Sequence, residues 1–311
     1  MLKWFYLLIA VVVGVAACSF SQAKKKDARF KPWAEVAGGE ASAEYDEAKQ
    51  LGTITDKSLA EISGLTASRF SPGVYWVHND SGDKARLYAI DVNGKLLAKV
   101  EVAGAKNKDW EDLASGPGAN GKPALYIADT GNNSGERDDL TVYRVPEPKL
   151  GTDKKSTTES AEAFPFSYPD GNHDCEAIFV DPTNGQIYLV TKTLKSDCAV
   201  YRFPLPLKAN QKVVVEKVGG QKVKSLSQLR MVTGGAVSPD GSRVAIRTYF
   251  GAFELQRTKG KAFAAIFDHE PTVIKVPLMS QAEAIAYSAD SKSIILTSEK
   301  LPAPIYQVTR K

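Results

Sequence analysis

Five segments of the chain repeat one another, and that repetition limits the folds open to it. They are AEISGLTAS (60–68), DWEDLASG (109–116), DCEAIFVDP (174–182), TGGAVSPDG (233–241) and QAEAIAYSAD (281–290). Aligned on Glu61, Glu111, Glu176, Gly235 and Glu283, they step by 50, 65, 59 and 48 residues. After each comes a second apolar run (VYWVHND, ALYIADTG, QIYLVTK, RVAIRTY, SIILTSE) and then a third (RLYAIDV, LTVYRVP, AVYRFPL, AFELQR, IYQVTR). Fourth runs read LLAKVEV (96–102), AEAFPFSY (161–168), KVVVEKV (212–218) and TVIKVPL (272–278). Short runs rich in Val, Ile, Tyr and Phe, broken by Gly, Pro, Asn and Asp, are β-strands.

One unit is therefore four strands in about 50 residues, the size of a propeller blade. The spacing predicts an all-β, five-bladed β-propeller over 51–311, or six blades if two units have been merged. A two-sheet sandwich would not account for the repeat. The fifth unit stops at Lys311 after its third strand. LGTITD (51–56) is the natural donor of the missing strand, and its addition would close the ring with no open edge.

The N-terminus has a layout of its own. Lys3 precedes an apolar run from Leu7 to Val15, followed by Ala16, Ala17 and Cys18. A charged start, a short apolar stretch and small residues make a secretory signal peptide, and the run is shorter than the roughly 20 residues a spanning helix needs. Val15-Ala16-Ala17-Cys18 resembles a bacterial lipobox, which implies a signal over 1–17, lipidation (palmitate included) of Cys18 and a bilayer partner. An ordinary signal cleaved elsewhere and an uncleaved anchor are the alternatives. With Ser19 after the Cys, the resemblance implies the outer membrane of a two-membrane bacterium, facing the periplasm or the surface. Residues 18–50 then read as a lipidated tether. In an oxidising compartment the remaining pair, Cys175 and Cys198, suggests a disulfide, with two unpaired small apolar side chains as the alternative. Net charge is +4, and Lys24, Lys25 and Lys26 supply part of it locally. No basic stripe with interleaved aromatics is present, so nucleic-acid binding is not expected.

In a propeller the first strand of each blade lines the central channel, and its start shares a face with the loop between strands two and three. That geometry gathers Glu61, Glu111, Glu176 and Glu283 at one mouth. His78, Asn79, Asp80, Asp129, Asn132, Asn133, Arg137, Lys192, Arg247 and Glu299 fall on the same face. Converging carboxylates repel, and a hard cation relieves them, since Ca²⁺ takes six to eight oxygen ligands in flexible geometry. The alternative for each Glu is that it accepts backbone N–H bonds at its own strand start.

Those motifs resemble the calcium-dependent apyrases, five-bladed propellers that hydrolyse nucleoside di- and triphosphates around a channel Ca²⁺. The resemblance implies a metal set of Ser63, Glu111, Glu176 and Glu283. Gly235 departs from it, standing where that family places a second Ser. The chain also resembles exported bacterial propellers described as phytase-like or esterase-like. Three functions are expected from these readings. The first is a lipoprotein that binds a small anionic ligand or an envelope protein, with Ca²⁺ at its centre. A Ca²⁺-dependent phosphohydrolase is the second, with Asn79, Asn132, Arg137, Lys192 and Arg247 binding substrate and Asp80, Asp129 or Glu299 as general base. The third is an esterase or lactonase aided by His78 or His173. No G-x-S-x-G elbow supports a serine nucleophile.

Overall fold

A computed structural model describes residues 41–151, 155–193, 198–218 and 231–311. The expected signal peptide over 1–17, the expected lipidation at Cys18 and residues 19–40 of the expected tether lie outside the described residues. Strand β1 (Lys49–Ile54) is followed by β2 (Ile62–Ala67), β3 (Val74–Asn79), β4 (Arg86–Asp91) and β5 (Leu96–Glu101), which form blade 1. Blade 2 is β6 (Trp110–Pro117), β7 (Pro123–Asp129), β8 (Thr141–Pro146) and, after β9 (Lys155–Thr157), β10 (Glu162–Ser167). Blade 3 is β11 (Asp174–Val180), β12 (Ile187–Lys192) and β13 (Val200–Arg202), completed after β14 (Val213–Val214) by β15 (Glu216–Val218). Blade 4 holds β16 (Val232–Val237), β17 (Arg243–Thr248), β18 (Gly251–Gln256) and β19 (Thr272–Ile274). Blade 5 holds β20 (Ala282–Tyr287), β21 (Ser293–Ser298) and β22 (Ala303–Thr309), and β1 is its outermost strand.

The protein is a five-bladed β-propeller. Strand β1 pairs antiparallel with β22, from Lys49↔Gln307 to Ile54↔Ala303, so the N-terminal strand closes the last blade. The contribution begins earlier than residue 51. Ala41 bridges Val273, Tyr45 bridges Arg310, and the Tyr45 hydroxyl donates to the buried Glu254 of blade 4. Residues 41–50, read from sequence as the end of the tether, are thus bound to blades 4 and 5.

Two outer edges also differ from the plain four-strand unit. Strand β9 pairs in parallel with β5, and β14 in parallel with β10. The run KVVVEKV therefore divides: Val213–Val214 extends blade 2, and Glu216–Val218 finishes blade 3. Each addition covers an edge that would otherwise offer free N–H and C=O groups.

An apolar core fills the space between each pair of neighbouring blades, and alternation along the strands explains why. Blades 1 and 2 meet through Trp76, Val100, Trp110 and Ile127, and blades 5 and 1 through Ile54, Leu65, Ile295 and Ile305. Successive strand residues point to opposite faces, so each blade feeds two cores. That parity decides the cysteines. Cys175 packs with Phe166, Tyr201 and Phe203 in the core of blades 2 and 3, whereas Cys198 packs with Phe179, Val200 and Phe253 in that of blades 3 and 4. The expected Cys175–Cys198 disulfide is not formed, because the two lie on opposite faces of one sheet. Both are buried, and burial pushes the Cys175 thiol up to about 12.

Blade 4 carries the Gly-Gly that breaks the run of channel carboxylates, and packing gives the reason. A Cβ on Gly235 would collide with the ring of Phe179 from blade 3. Gly235→Ser, which would restore the hydroxyl of the resembled family, is expected to destabilise the fold by about 1–3 kcal/mol through overpacking. Thermal unfolding followed by circular dichroism checks this; an unchanged midpoint would contradict it.

Candidate functional site: carboxylates at one channel mouth

The first strands of blades 2 and 3 start side by side and bring Glu111 and Glu176 to the mouth, 4 % and 2 % exposed. Two carboxylate triads form there and share Glu111: Asp80, Asp109 and Glu111, then Glu111, Asp174 and Glu176. Within each triad one oxygen per residue lies within 4.8 Å of the others. Oxygens held about 2.3–2.6 Å from a Ca²⁺ ion are separated by at most about 5 Å, so the spacing and the all-oxygen donor set fit a hard divalent cation. The segment Asp129-Thr130-Gly131-Asn132 crosses the cup. A Cβ on Gly131 would collide with carboxylate oxygens of Glu111 and Asp109, and the Asn132 amide donates to Asp174 Oδ1 at 2.7 Å.

Crowded acids in a desolvated cup hold their protons. Burial, then the charge of Asp109, raises Asp80 to about 8. Burial and the charges of Glu176, Asp80 and Asp109 raise Glu111 well above the usual carboxylate range. Glu176 rises to about 7, chiefly by burial, even though Lys192 Nζ lies 2.5 Å from its Oε1. Asp109 and Asp174 rise for the same first reason. Lys192 keeps its charge against burial because Glu176, Glu111 and Glu283 surround it.

The structure separates the expected site residues into those at the cup and those engaged elsewhere. Ser63 uses its hydroxyl to donate to the Glu111 carbonyl, an inter-blade tie. Thr130 and Thr233 make the same kind of tie, to the carbonyls of Cys175 and Ala282, at 2.8 and 2.7 Å. Glu283 is buried but belongs to neither triad, and Glu61 is exposed.

The rim residues are largely committed to one another. Asn79 donates to Ser58 O and Asp83 Oδ2, at 2.8 and 2.9 Å. Arg137 donates to Asp129 Oδ1 at 2.9 Å and to Gly131 O at 2.6 Å, while its own amide donates to Asn132 Oδ1. Arg137, Asn132 and Asp129 therefore brace the loop over the cup, and Asp129 is 1 % exposed. Glu299 accepts from Gln281 and stands apart from the triads. His78 is wholly buried, its Nδ1 3.0 Å from Asn79 O, and desolvation drops it to about 4. His173 lies beside Asp170 and Tyr201, with its Nε2 3.0 Å from each of their side chains.

Sequence reasoning left Asp109, Asp112 and Asp174 without a role at the site. Asp112 is fully buried, and its Oδ2 accepts from Ile178 N at 2.9 Å and Gly235 N at 3.0 Å, its Oδ1 from Leu113 N at 2.8 Å. One carboxylate thereby ties blades 2, 3 and 4 at the channel wall. A signal for it existed in the acid on each side of Glu111, but nothing local distinguished the two.

Fold and mouth together define a five-bladed propeller with carboxylates gathered at one end of its channel. No family model matches the chain, and no curated protein matches it. Among solved structures, a glucose dehydrogenase is similar at a TM-score of 0.51 and 10% identity, over 86% of this chain and 100% of that one. The apo soluble aldose sugar dehydrogenase of Escherichia coli has a TM-score of 0.47 at 8% identity, covering 85% and 99%. A luciferin-regenerating enzyme has 0.45 at 9% identity, covering 85% and 95%. These likenesses concern the propeller fold.

Proposed function

We propose that this chain is an exported, lipid-anchored binding propeller whose mouth carboxylates hold one divalent cation of the Ca²⁺ type and present it to a ligand or envelope partner. The observation that carries the reading is the pair of triads sharing Glu111, with oxygens at a cation's spacing. Asp80, Asp109 and Glu111 would hold the ion, while in the second triad Asp174 accepts from the Asn132 amide and Glu176 pairs with Lys192. When bound, the ion would polarise a ligand oxygen. The anchor rests on residues 1–18; among the described residues no helix is long and apolar enough to cross a membrane.

Isothermal titration of Ca²⁺ into EDTA-treated protein should give saturable binding near one ion per chain. Glu111→Gln should abolish it and Glu283→Gln should leave it. Silence of the wild type up to millimolar Ca²⁺ would end the proposal. Palmitate labelling, lost in Cys18→Ser, tests the anchor.

A phosphohydrolase is the second reading: in it Asp80, raised to about 8 by burial and the charge of Asp109, serves as the general base at the cup's edge and not as an ion ligand. Release of phosphate from ATP, ADP or phytate that depends on Ca²⁺ and on Asp80 would establish it.

A further inference from the structure

Beside the acidic cup, the wall formed by blades 4 and 5 carries two opposite deficits. Arg247 on β17 is 1 % exposed, yet its Nε and Nη1 meet no partner. Glu283 on β20 is 7 % exposed, and its Oε2 also meets none. The two interact electrostatically without those atoms hydrogen-bonding to each other. A buried guanidinium or carboxylate with unmet hydrogen bonds is costly, so the pair specifies what fits between: a group that accepts from Arg247 and donates to Glu283.

A hydroxyl does both. An oxyanion would satisfy Arg247 but would set another negative charge beside Glu283, which already feels Glu176. A hydroxyl also suits Glu283 in either protonation state, because it donates to a carboxylate and accepts from a carboxylic acid. The turn after β17 adds the rest of the surface. Tyr249 is half-buried with Lys192 Nζ 5.2 Å from its ring centroid, and Phe250 is 52 % exposed. The exposed ring of Phe250, three residues on from Arg247, suits a ligand ring that is apolar on its faces and polar at its edge.

We propose that the blade 4–5 side of the mouth binds an uncharged polyhydroxylated ligand, a sugar or polyol, whose hydroxyls bridge Arg247 and Glu283. The inference rests on the reading of this mouth as a binding face and names the ligand class. Titration calorimetry on the whole chain, with maltose, myo-inositol and inorganic phosphate as probes and with Ca²⁺ present or chelated, tests it. At least one polyol should bind more tightly than phosphate. Glu283→Gln, close in shape, and Arg247→Lys should each weaken that binding at least tenfold while circular dichroism and Ca²⁺ binding stay as in the wild type.

Phosphate binding more tightly than either polyol, polyol binding indifferent to both substitutions, or no polyol binding at all would overturn the proposal. Ca²⁺ binding with silent polyols would sink this inference alone. Polyol binding that needs Arg247 and Glu283 in a protein that binds no Ca²⁺ would sink the cation reading and leave this one standing.

Discussion

Asp112→Ala is expected to lower the thermal midpoint by on the order of 10 °C. The substitution leaves three buried N–H groups, on Leu113, Ile178 and Gly235, without an acceptor. Each orphaned buried donor costs roughly 1–3 kcal/mol, and partial relaxation brings the sum to about 3–5 kcal/mol. For a domain of this size 1 kcal/mol moves the midpoint by about 2–4 °C. Asp112→Asn keeps one oxygen able to accept from both neighbouring blades and should lose about half as much. Circular dichroism melts of the three proteins decide the matter: an alanine variant within about 2 °C of wild type would show that the inter-blade tie is worth little.

The second large effect is a fall of stability with rising pH that calcium opposes. Folding raises Glu176 to about 7 and Asp80 and Asp112 to about 8, and lifts Glu111 and Glu283 well above the usual range, burial being the first cause in each case. The unfolded chain releases those protons near pH 4. Between about pH 4 and 8 the folded state therefore binds more protons, and stability must fall as pH rises. Below that window the sign changes, because Asp56, Asp170, Asp240 and Asp290 are held below the usual value by hydrogen-bonded partners. Their contribution is lost as pH drops through those lowered values.

A divalent cation takes the deprotonated cup, so its stabilisation should grow with pH and reach about 2.7 kcal/mol once free ion exceeds Kd a hundredfold. Melts at pH 5, 7 and 9 in EDTA and in Ca²⁺ measure both slopes. The gap between them should widen with pH in the wild type and stay closed in Glu111→Gln. A chelated protein that gains stability from pH 5 to 8 would contradict the argument.

Much of the architecture was legible in the chain because a propeller writes its unit into the sequence. Each blade must bury both of its faces, so each repeats the same strand and turn signals, and a fifth unit one strand short pointed to its donor near residue 51. The presence of Glu111 and Glu176 at one mouth followed from their equivalent places in neighbouring units. Asp80 could be placed on that face as well. The tether boundary was less visible, since one buried Tyr45 among polar residues leaves little periodic trace.

What only the tertiary structure decided is which groups meet across blades. Asp112 and Gly235 are 123 residues apart, and no local pattern says that one carboxylate will serve the amide of the other. Arg137 reads as a rim cation for a substrate or a neighbouring acid, and only the fold shows that Asp129 and Gly131 are its partners. Cys175 and Cys198 read as a pair until the two faces of their sheet place them in different cores. Arg247 and Glu283 stand on separate blades, and their unmet hydrogen bonds exist only where the ring brings those blades together. Strand period and turn chemistry are local quantities that the sequence states by itself. Partnership depends on the closure of the ring, which sets distant residues side by side in a medium too dry to leave charge unmatched.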